Sequence, residues 1–105
     1  MIENIEDQGP EDLRKKLNLE TSKISWKALL PFFASGMAVY VSHTLDLIEV
    51  ACVLVDDNKT QMQKWMADNL VANVSDEQAR TWHESEVTVW AVVVKPWVLV
   101  QPIVD

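Results

Sequence analysis

The segment Val87-Thr-Val-Trp-Ala-Val-Val-Val-Lys-Pro-Trp-Val-Leu-Val-Gln101 decides the fold of this chain. It is rich in β-branched residues, which favour strands, and side chains alternate between the two faces of a strand. One face would carry Val87, Val89, Ala91 and Val93, and the other Trp90, Val92 and Val94. Both faces are apolar, so we expect a buried strand or strand pair, with an edge, a bulge or a sharp bend at Pro96, which cannot donate a backbone hydrogen bond.

Composition limits the class of protein. The chain has 105 residues, 49% of them hydrophobic and 24% charged, and only two glycines, which is typical of one globular domain. Its net charge of -7 repels phosphate backbones, so we expect no nucleic-acid partner. A basic leader followed by an apolar run is not visible, and no apolar run approaches the roughly 18 residues of a membrane-spanning helix. We therefore expect a cytoplasmic protein without a membrane partner.

The N-terminal residues divide into a tail and the start of the domain. Residues 1–9 are acidic and have no hydrophobic period, which predicts a disordered tail. Pro10 with acidic residues in the first turn is typical of a helix start and predicts a helix over 10–18. The remainder, 10–105, is predicted to form a single α+β domain.

A second helix is predicted over 25–35. Ser25 is its candidate N-cap, the apolar residues that follow have helical spacing, and Gly36 would close it. Pro31 within this helix predicts a kink or a break, because it lacks an amide hydrogen and crowds the preceding turn. A short strand is predicted over 37–42.

The middle of the chain is predicted to be mostly helical. Residues 45–55 leave helix and strand open, and helix is favoured because apolar residues recur at helical spacing although many are β-branched. Helices over 58–70 and 75–84 flank an extended connection, 71–74, and the second opens with a capping box at Ser75. The fold class is therefore α+β, a small single domain with helices packed on a short sheet that contains the long apolar C-terminal strand or hairpin.

A pattern across residues 17–36, which includes Leu17, Glu20, Thr21 and Trp26, resembles the opening of a short bacterial family, domain of unknown function 2288. Later blocks are similar to that family as well: Leu45-Asp-Leu-Ile-Glu-Val-Ala51, Val74-Ser-Asp-Glu-Gln-Ala-Arg80 and Trp90-Ala-Val-Val-Val-Lys-Pro-Trp-Val-Leu-Val-Gln101. The resemblance extends from Leu13 to Gln101. It implies a bacterial domain that stands alone, and it brings no activity, cofactor or catalytic residue with it.

Reactive side chains are not clustered in the sequence. His43 and His83 have no second metal ligand at the usual spacing. The single cysteine, Cys52, lies among apolar residues with no base or cation nearby, which favours an inert core thiol. A glycine-rich phosphate loop is excluded because the chain has only two glycines. We therefore expect no cofactor and no metal.

Two functional hypotheses follow. The favoured one is a non-catalytic interaction or regulatory module that self-associates, because five tryptophans are many for this length and tryptophan is frequent in interfaces. One layer of helices covers only one face of the sheet, so we expect a homodimer through residues 87–104, with another protein as the alternative partner. The candidate interface residues are Trp90, Pro96, Trp97 and Leu99. The alternative is a small enzyme or hard-cation-binding protein, whose carboxylates would be Glu20, Glu49 and Asp56.

Overall fold

The computed structural model describes residues 10–104, which contain five α-helices, one 3-10 helix and five strands. The helices are α1 (Pro10–Glu20), α2 (Leu30–Ala34), α3 (Leu47–Val55), α4 (Lys59–Ala67) and α5 (Asp76–Glu84), and a short 3-10 helix, Trp26–Leu29, precedes α2. The strands are β1 (Ser22–Ser25), β2 (Ala38–Val41), β3 (Val71–Asn73), β4 (Thr88–Val94) and β5 (Trp97–Pro102). None of the helices in this range is long and apolar enough to cross a bilayer. The predicted α+β class is confirmed, whereas the predicted tail at 1–9 lies outside the described residues.

The strands form one mixed sheet in the order β1-β4-β5-β2-β3. In its centre β4 and β5 make an antiparallel hairpin, with Val94 opposite Trp97 across the turn of Lys95 and Pro96. β5 runs parallel to β2, while β1 and β3 pair antiparallel with β4 and β2 and occupy the two edges. The sharp bend that was one prediction for Pro96 is confirmed. The long C-terminal segment is interior to the sheet.

Helices cover both faces of this sheet. On one face α1, α3 and α4 pack over Val92 and Leu99. On the other face the 3-10 helix, α2 and α5 pack over Val89 and Val98, with Trp26 fully buried among them. The predicted alternation along β4 is confirmed. The expectation that helices cover only one face is wrong, because the 3-10 helix, α2 and α5, although short, together supply a second layer.

The predicted helices are confirmed to within a few residues, and their local signals are present. In the capping box of α5, Ser75 Oγ accepts a hydrogen bond of 3.0 Å from the Gln78 amide, and Gln78 Oε1 accepts one of 3.1 Å from the Ser75 amide. Residues 47–55 are helix rather than strand, and Asp46 Oδ1 accepts from the Ile48 amide at 2.9 Å. Close to Pro31 the chain changes from 3-10 to α-helix, which is the predicted break.

Two short strands differ from the sequence prediction. β1 is not predicted at all, and β3 is predicted only as an extended connection. β1 contains a single apolar residue, Ile24, so it has no clear alternation. Its pairing is with a distant segment, since Ile24 lies opposite Val89. Strands of three or four residues are therefore defined here by their neighbours in the sheet rather than by their own sequence.

Candidate interaction site

An apolar groove opens between α4 and the edge strand β3. Its volume is about 360 Å³. Residues of α4 and β3 line it together with Trp97 at the start of β5, and polar residues of the loop between α3 and α4 also border it. We call this surface the β3 groove, and the lining residues that carry the argument below are Met62, Met66, Val71, Asn73 and Trp97.

Helix α4 presents two methionines to the groove. The helix begins at an Asn58 cap, whose Oδ1 accepts a hydrogen bond of 3.2 Å from the Gln61 amide. Met62 and Met66 are four residues apart and therefore lie on the same side of the helix. Met62 is partly buried, whereas 51% of Met66 is exposed. A flexible, exposed thioether is typical of surfaces that adapt to a binding partner.

A tight helix ending brings the chain from α4 into β3. Asn69 has a φ of 61°, in the left-handed region. The Leu70 amide donates to the Trp65 carbonyl at 2.8 Å, and the Asn69 amide donates to the Met66 carbonyl at 3.1 Å. These are the two bonds of a Schellman motif, which satisfies the last carbonyls of the helix. The strand that follows packs against α4, so helix and strand form two walls of one groove.

The hydrogen bonds of β3 fix which of its backbone groups face outward. β3 is the last strand in the sheet order, so β2 is its pairing partner within the described chain. The Ser42 amide donates to the Leu70 carbonyl at 2.8 Å, and the Val74 amide donates to the Ala38 carbonyl at 3.1 Å. In an antiparallel ladder, residue pairs that exchange hydrogen bonds alternate with pairs that do not. These two bonds therefore determine which residues of β3 direct their amides and carbonyls toward β2 and which direct them outward.

This alternation of hydrogen-bonded and non-bonded pairs leaves backbone donors and acceptors on the outer side of β3. Ala72 lies opposite Tyr40, two positions from each bonded pair, so its backbone bonds are directed inward to β2. The amides and carbonyls of Val71 and Asn73 point away from β2. An open strand edge of this kind can accept a further strand.

The structure separates the four residues of the predicted interface. Trp90 is partly buried, and the Lys23 ammonium lies over its ring, 5.1 Å from the centroid. Pro96 is exposed in the hairpin turn, and Trp97 is partly buried at the β3 groove. Leu99 is 0% exposed and lies beneath the helices of one face, so it is not available to a partner. The physical premise for a dimer through 87–104 is therefore wrong, because the chain itself covers both faces of that segment.

The three carboxylates of the alternative hypothesis are not brought together. Glu20 ends α1 and borders a surface depression that neither Glu49 nor Asp56 lines. Glu49 is in the first turn of α3 and Asp56 follows its last turn, which separates them by about 10 Å along the helix. Within residues 12–104, no group of three His, Cys, Asp or Glu side chains is placed to hold a metal ion. The geometry gives this hypothesis no site.

One cation does lie near the thiol, which differs from the sequence prediction. Arg14 of α1 reaches α3, where its Nη2 is 3.0 Å from Asp46 Oδ2. Burial raises the pKa of the Cys52 thiol, and the Arg14 guanidinium partly offsets this rise. A raised pKa keeps the thiol protonated and weakly nucleophilic. Cys52 therefore has the character of a packing residue.

Comparisons with known proteins found one matching family and a similar solved structure. A family model described as "Protein of unknown function (DUF2288)" matches residues 12–102, which confirms the resemblance seen in the sequence. Among solved structures, the NMR solution structure of PA1075 from Pseudomonas aeruginosa is similar to this chain, with 36% sequence identity and a TM-score of 0.79. The match covers 99% of this chain and 95% of that one. The search of curated proteins gave no match.

Proposed function

Since this chain belongs to the family described as proteins of unknown function (DUF2288), which brings no activity with it, we propose that it is a non-catalytic interaction module that self-associates through the β3 groove. One observation carries the proposal: half-exposed Met66 and partly exposed Trp97 line an apolar groove beside the open edge of β3. Burial of apolar surface contributes about 25 cal/mol per Å², so covering this groove favours association.

The chemistry of the chain supports an interaction role over catalysis. The candidate carboxylates are scattered, and the Cys52 thiol is kept protonated by its surroundings. Of the interface residues named from the sequence, Trp97 lines the groove and Pro96 is its exposed neighbour. The cytoplasmic location inferred from the sequence belongs to the same proposal.

A second copy is the proposed occupant. A twofold arrangement uses the same patch on both chains, so one surface satisfies both partners. Each chain has a net charge of -7, and two copies therefore repel each other at long range. Salt screens this repulsion, so the association should strengthen when the ionic strength rises from about 0.02 M to about 0.3 M.

Sedimentation equilibrium at micromolar concentration tests the proposal. We expect a mass near 24 kDa, twice the 12.0 kDa of one chain. Met66→Lys should shift the protein to monomer, because it places a charge in the apolar groove. The matched control is Leu19→Lys, which adds the same charge at a helical position that is 85% exposed on α1. A wild-type protein that stays at 12.0 kDa at every concentration and salt overturns the proposal.

A further inference from the structure

We infer that two copies associate by antiparallel pairing of β3 with β3 of the second copy, with Ala72 at the twofold axis. The five-stranded sheet would then continue as a sheet of ten strands. This inference rests on the proposed self-association and defines its geometry: the contact is a strand edge together with the groove beside it.

The edge at β3 is short, with three residues, but it carries neither a charge nor a proline. Natural edge strands are protected by charges, prolines or bulges. The other edge of this sheet, β1, has Lys23 in its centre. In contrast, the seven residues 69–75, Asn-Leu-Val-Ala-Asn-Val-Ser, contain no charge and no proline. Asp68 and Asp76 flank this segment, so the uncharged part of the edge is limited to it in a chain with 25 charged residues among 105.

The residues of β3 can face their own copies in reverse order without a charge in the paired strands. In an antiparallel register centred on Ala72, the facing positions are Val71 with the partner's Asn73, Leu70 with the partner's Val74, and Asn69 with the partner's Ser75. Apolar Leu70 meets an apolar residue and apolar Val71 meets polar Asn73, whereas Asn69 and Ser75 belong to the helix ends on either side of β3. The paired strands carry no charge, and the first like charges, Asp68 at the end of α4 and the partner's Asp76 at the start of α5, come one position beyond Asn69 and Ser75. A pair centred on Ala72 uses the same strand of both copies, which is the requirement of a twofold interface.

The backbone supports the same register. Val71 and Asn73 have their amides and carbonyls on the outer side of β3, as the ladder to β2 requires. Each would exchange hydrogen bonds with the partner's residue opposite, which gives about four new bonds. Ala72 then faces the partner's Ala72 in a pair without hydrogen bonds, where the Cα atoms are about 4.5 Å apart.

The helices on one face also meet across this axis. A twofold axis between antiparallel strands is perpendicular to the sheet, so α4 of each copy lies on the same side. Half-exposed Met66 then faces α4 of the second copy. The strand pairing and the covering of the groove are therefore parts of one interface.

Disulfide cross-linking tests the register. Ala72→Cys in a Cys52→Ser background should give a covalent dimer under mild oxidation with oxidised glutathione, because a Cα separation near 4.5 Å suits a disulfide. Ser22→Cys in the same background is the matched control, since Ser22 is an exposed residue of the opposite edge strand. We expect a dimer band for the first variant and monomer for the second on a non-reducing gel. The reverse result would assign the contact to β1 and overturn the inference.

A proline substitution tests the hydrogen bonds. Asn73→Pro removes an outward amide that the fold does not use, so the monomer should keep its circular dichroism spectrum. We expect its dimer dissociation constant to rise at least about tenfold, whereas Asn73→Ala, which keeps the amide, should retain the wild-type constant.

The outcomes separate the two proposals. A wild-type chain that never dimerises removes both. A dimer that dissociates with Met66→Lys, but survives Asn73→Pro and is not trapped by Ala72→Cys, retains the interaction module and rejects strand pairing.

Discussion

The indole nitrogen of Trp26 donates a hydrogen bond of 3.2 Å to the carbonyl oxygen of Ala79, 53 positions later in the chain. Both residues are buried, and the bond joins the 3-10 helix to α5. The Trp26 amide also donates to the Val87 carbonyl at 3.0 Å. The indole and the backbone amide of Trp26 therefore both have hydrogen-bond partners. These two bonds tie the 3-10 helix to α5 and to the residue that precedes β4.

Replacing Trp26 with Phe should lower the free energy of unfolding by about 2 kcal/mol. The smaller ring leaves a cavity, and the Ala79 carbonyl loses the indole donor. Urea denaturation followed by circular dichroism measures the change. Trp82→Phe is the control, because Trp82 is only partly buried and packs edge-on against Trp26 at 5.0 Å between ring centroids. Its loss should be about half as large. Equal losses would argue against the role assigned to the indole bond.

Gln101 connects β5 to the loop that precedes α3. Its Nε2 donates to the carbonyl oxygens of Ser42 at 2.9 Å and Leu45 at 2.8 Å. Gln101→Leu keeps much of the side-chain volume but leaves both carbonyls without this donor, so we expect a loss of about 2 kcal/mol in urea denaturation. Gln101→Glu at neutral pH should be at least as destabilising, since a carboxylate accepts hydrogen bonds but does not donate them. Wild-type stability in both variants would show that the two bonds contribute little.

The helices of this fold are predictable because their signals are local. The Ser75 capping box and the Asp46 cap each act within three residues of the helix they begin. The elements that cover the sheet are not predictable in the same way. The apolar C-terminal segment indicates that both faces must be covered, but it does not indicate which helices cover each face. β1 illustrates the limit: Ile24 becomes part of a strand through Val89, a residue far along the chain.

The β3 groove is harder to predict than the fold. Helical spacing predicts one buried stripe on α4 that contains Met62, Trp65 and Met66. The face that α4 buries is narrower than this stripe, and Met66 remains half exposed. Trp97 and Leu99 point to the same face of β5, but Leu99 lies in the core and Trp97 at the end of the strand, at the groove. A partner can reach Trp97 but not Leu99 because of where each residue lies along the strand. The alternation of side chains along a strand does not predict this position.

Cys52 should react slowly in the folded protein. Burial raises the pKa of its thiol, and Arg14 lowers that pKa only in part. The stability that comes from a protonated thiol is fully present below the pKa of the unfolded chain and is lost as the pH rises through the higher pKa of the folded state. We expect alkylation by iodoacetamide at pH 8, followed by mass spectrometry, to be several-fold slower in the folded protein than in urea. Arg14→Gln should slow it further, and faster alkylation of that variant would contradict the contribution of the guanidinium.

Within residues 10–104, four helices are followed by a residue in the left-handed region, and only one of these residues is glycine. The residues are Gly36 (φ 76°), Asp57 (φ 56°), Asn69 (φ 61°) and Glu86 (φ 52°). At the end of α5, the Val87 amide donates to the Trp82 carbonyl at 3.1 Å and the Glu86 amide to the His83 carbonyl at 3.2 Å, which is the Schellman pattern. A side chain with a Cβ is strained at positive φ, and asparagine tolerates it better than glutamate.

Glu86→Gly should therefore stabilise the protein by about 1 kcal/mol, and Asn69→Gly by less. Glu84→Gly is the matched control: it makes the same chemical change at the last residue of α5, where the backbone is right-handed and glycine is the poorer helix former, so its effect should have the opposite sign. Gly36→Ala should lose about 1 kcal/mol. A Cβ at Gly36 would meet no heavy atom within 4 Å, so that loss measures backbone strain without a steric clash. Urea denaturation of the four variants decides the matter: if Glu86→Gly destabilises the protein as much as Glu84→Gly does, strain at the end of α5 is not what limits its stability.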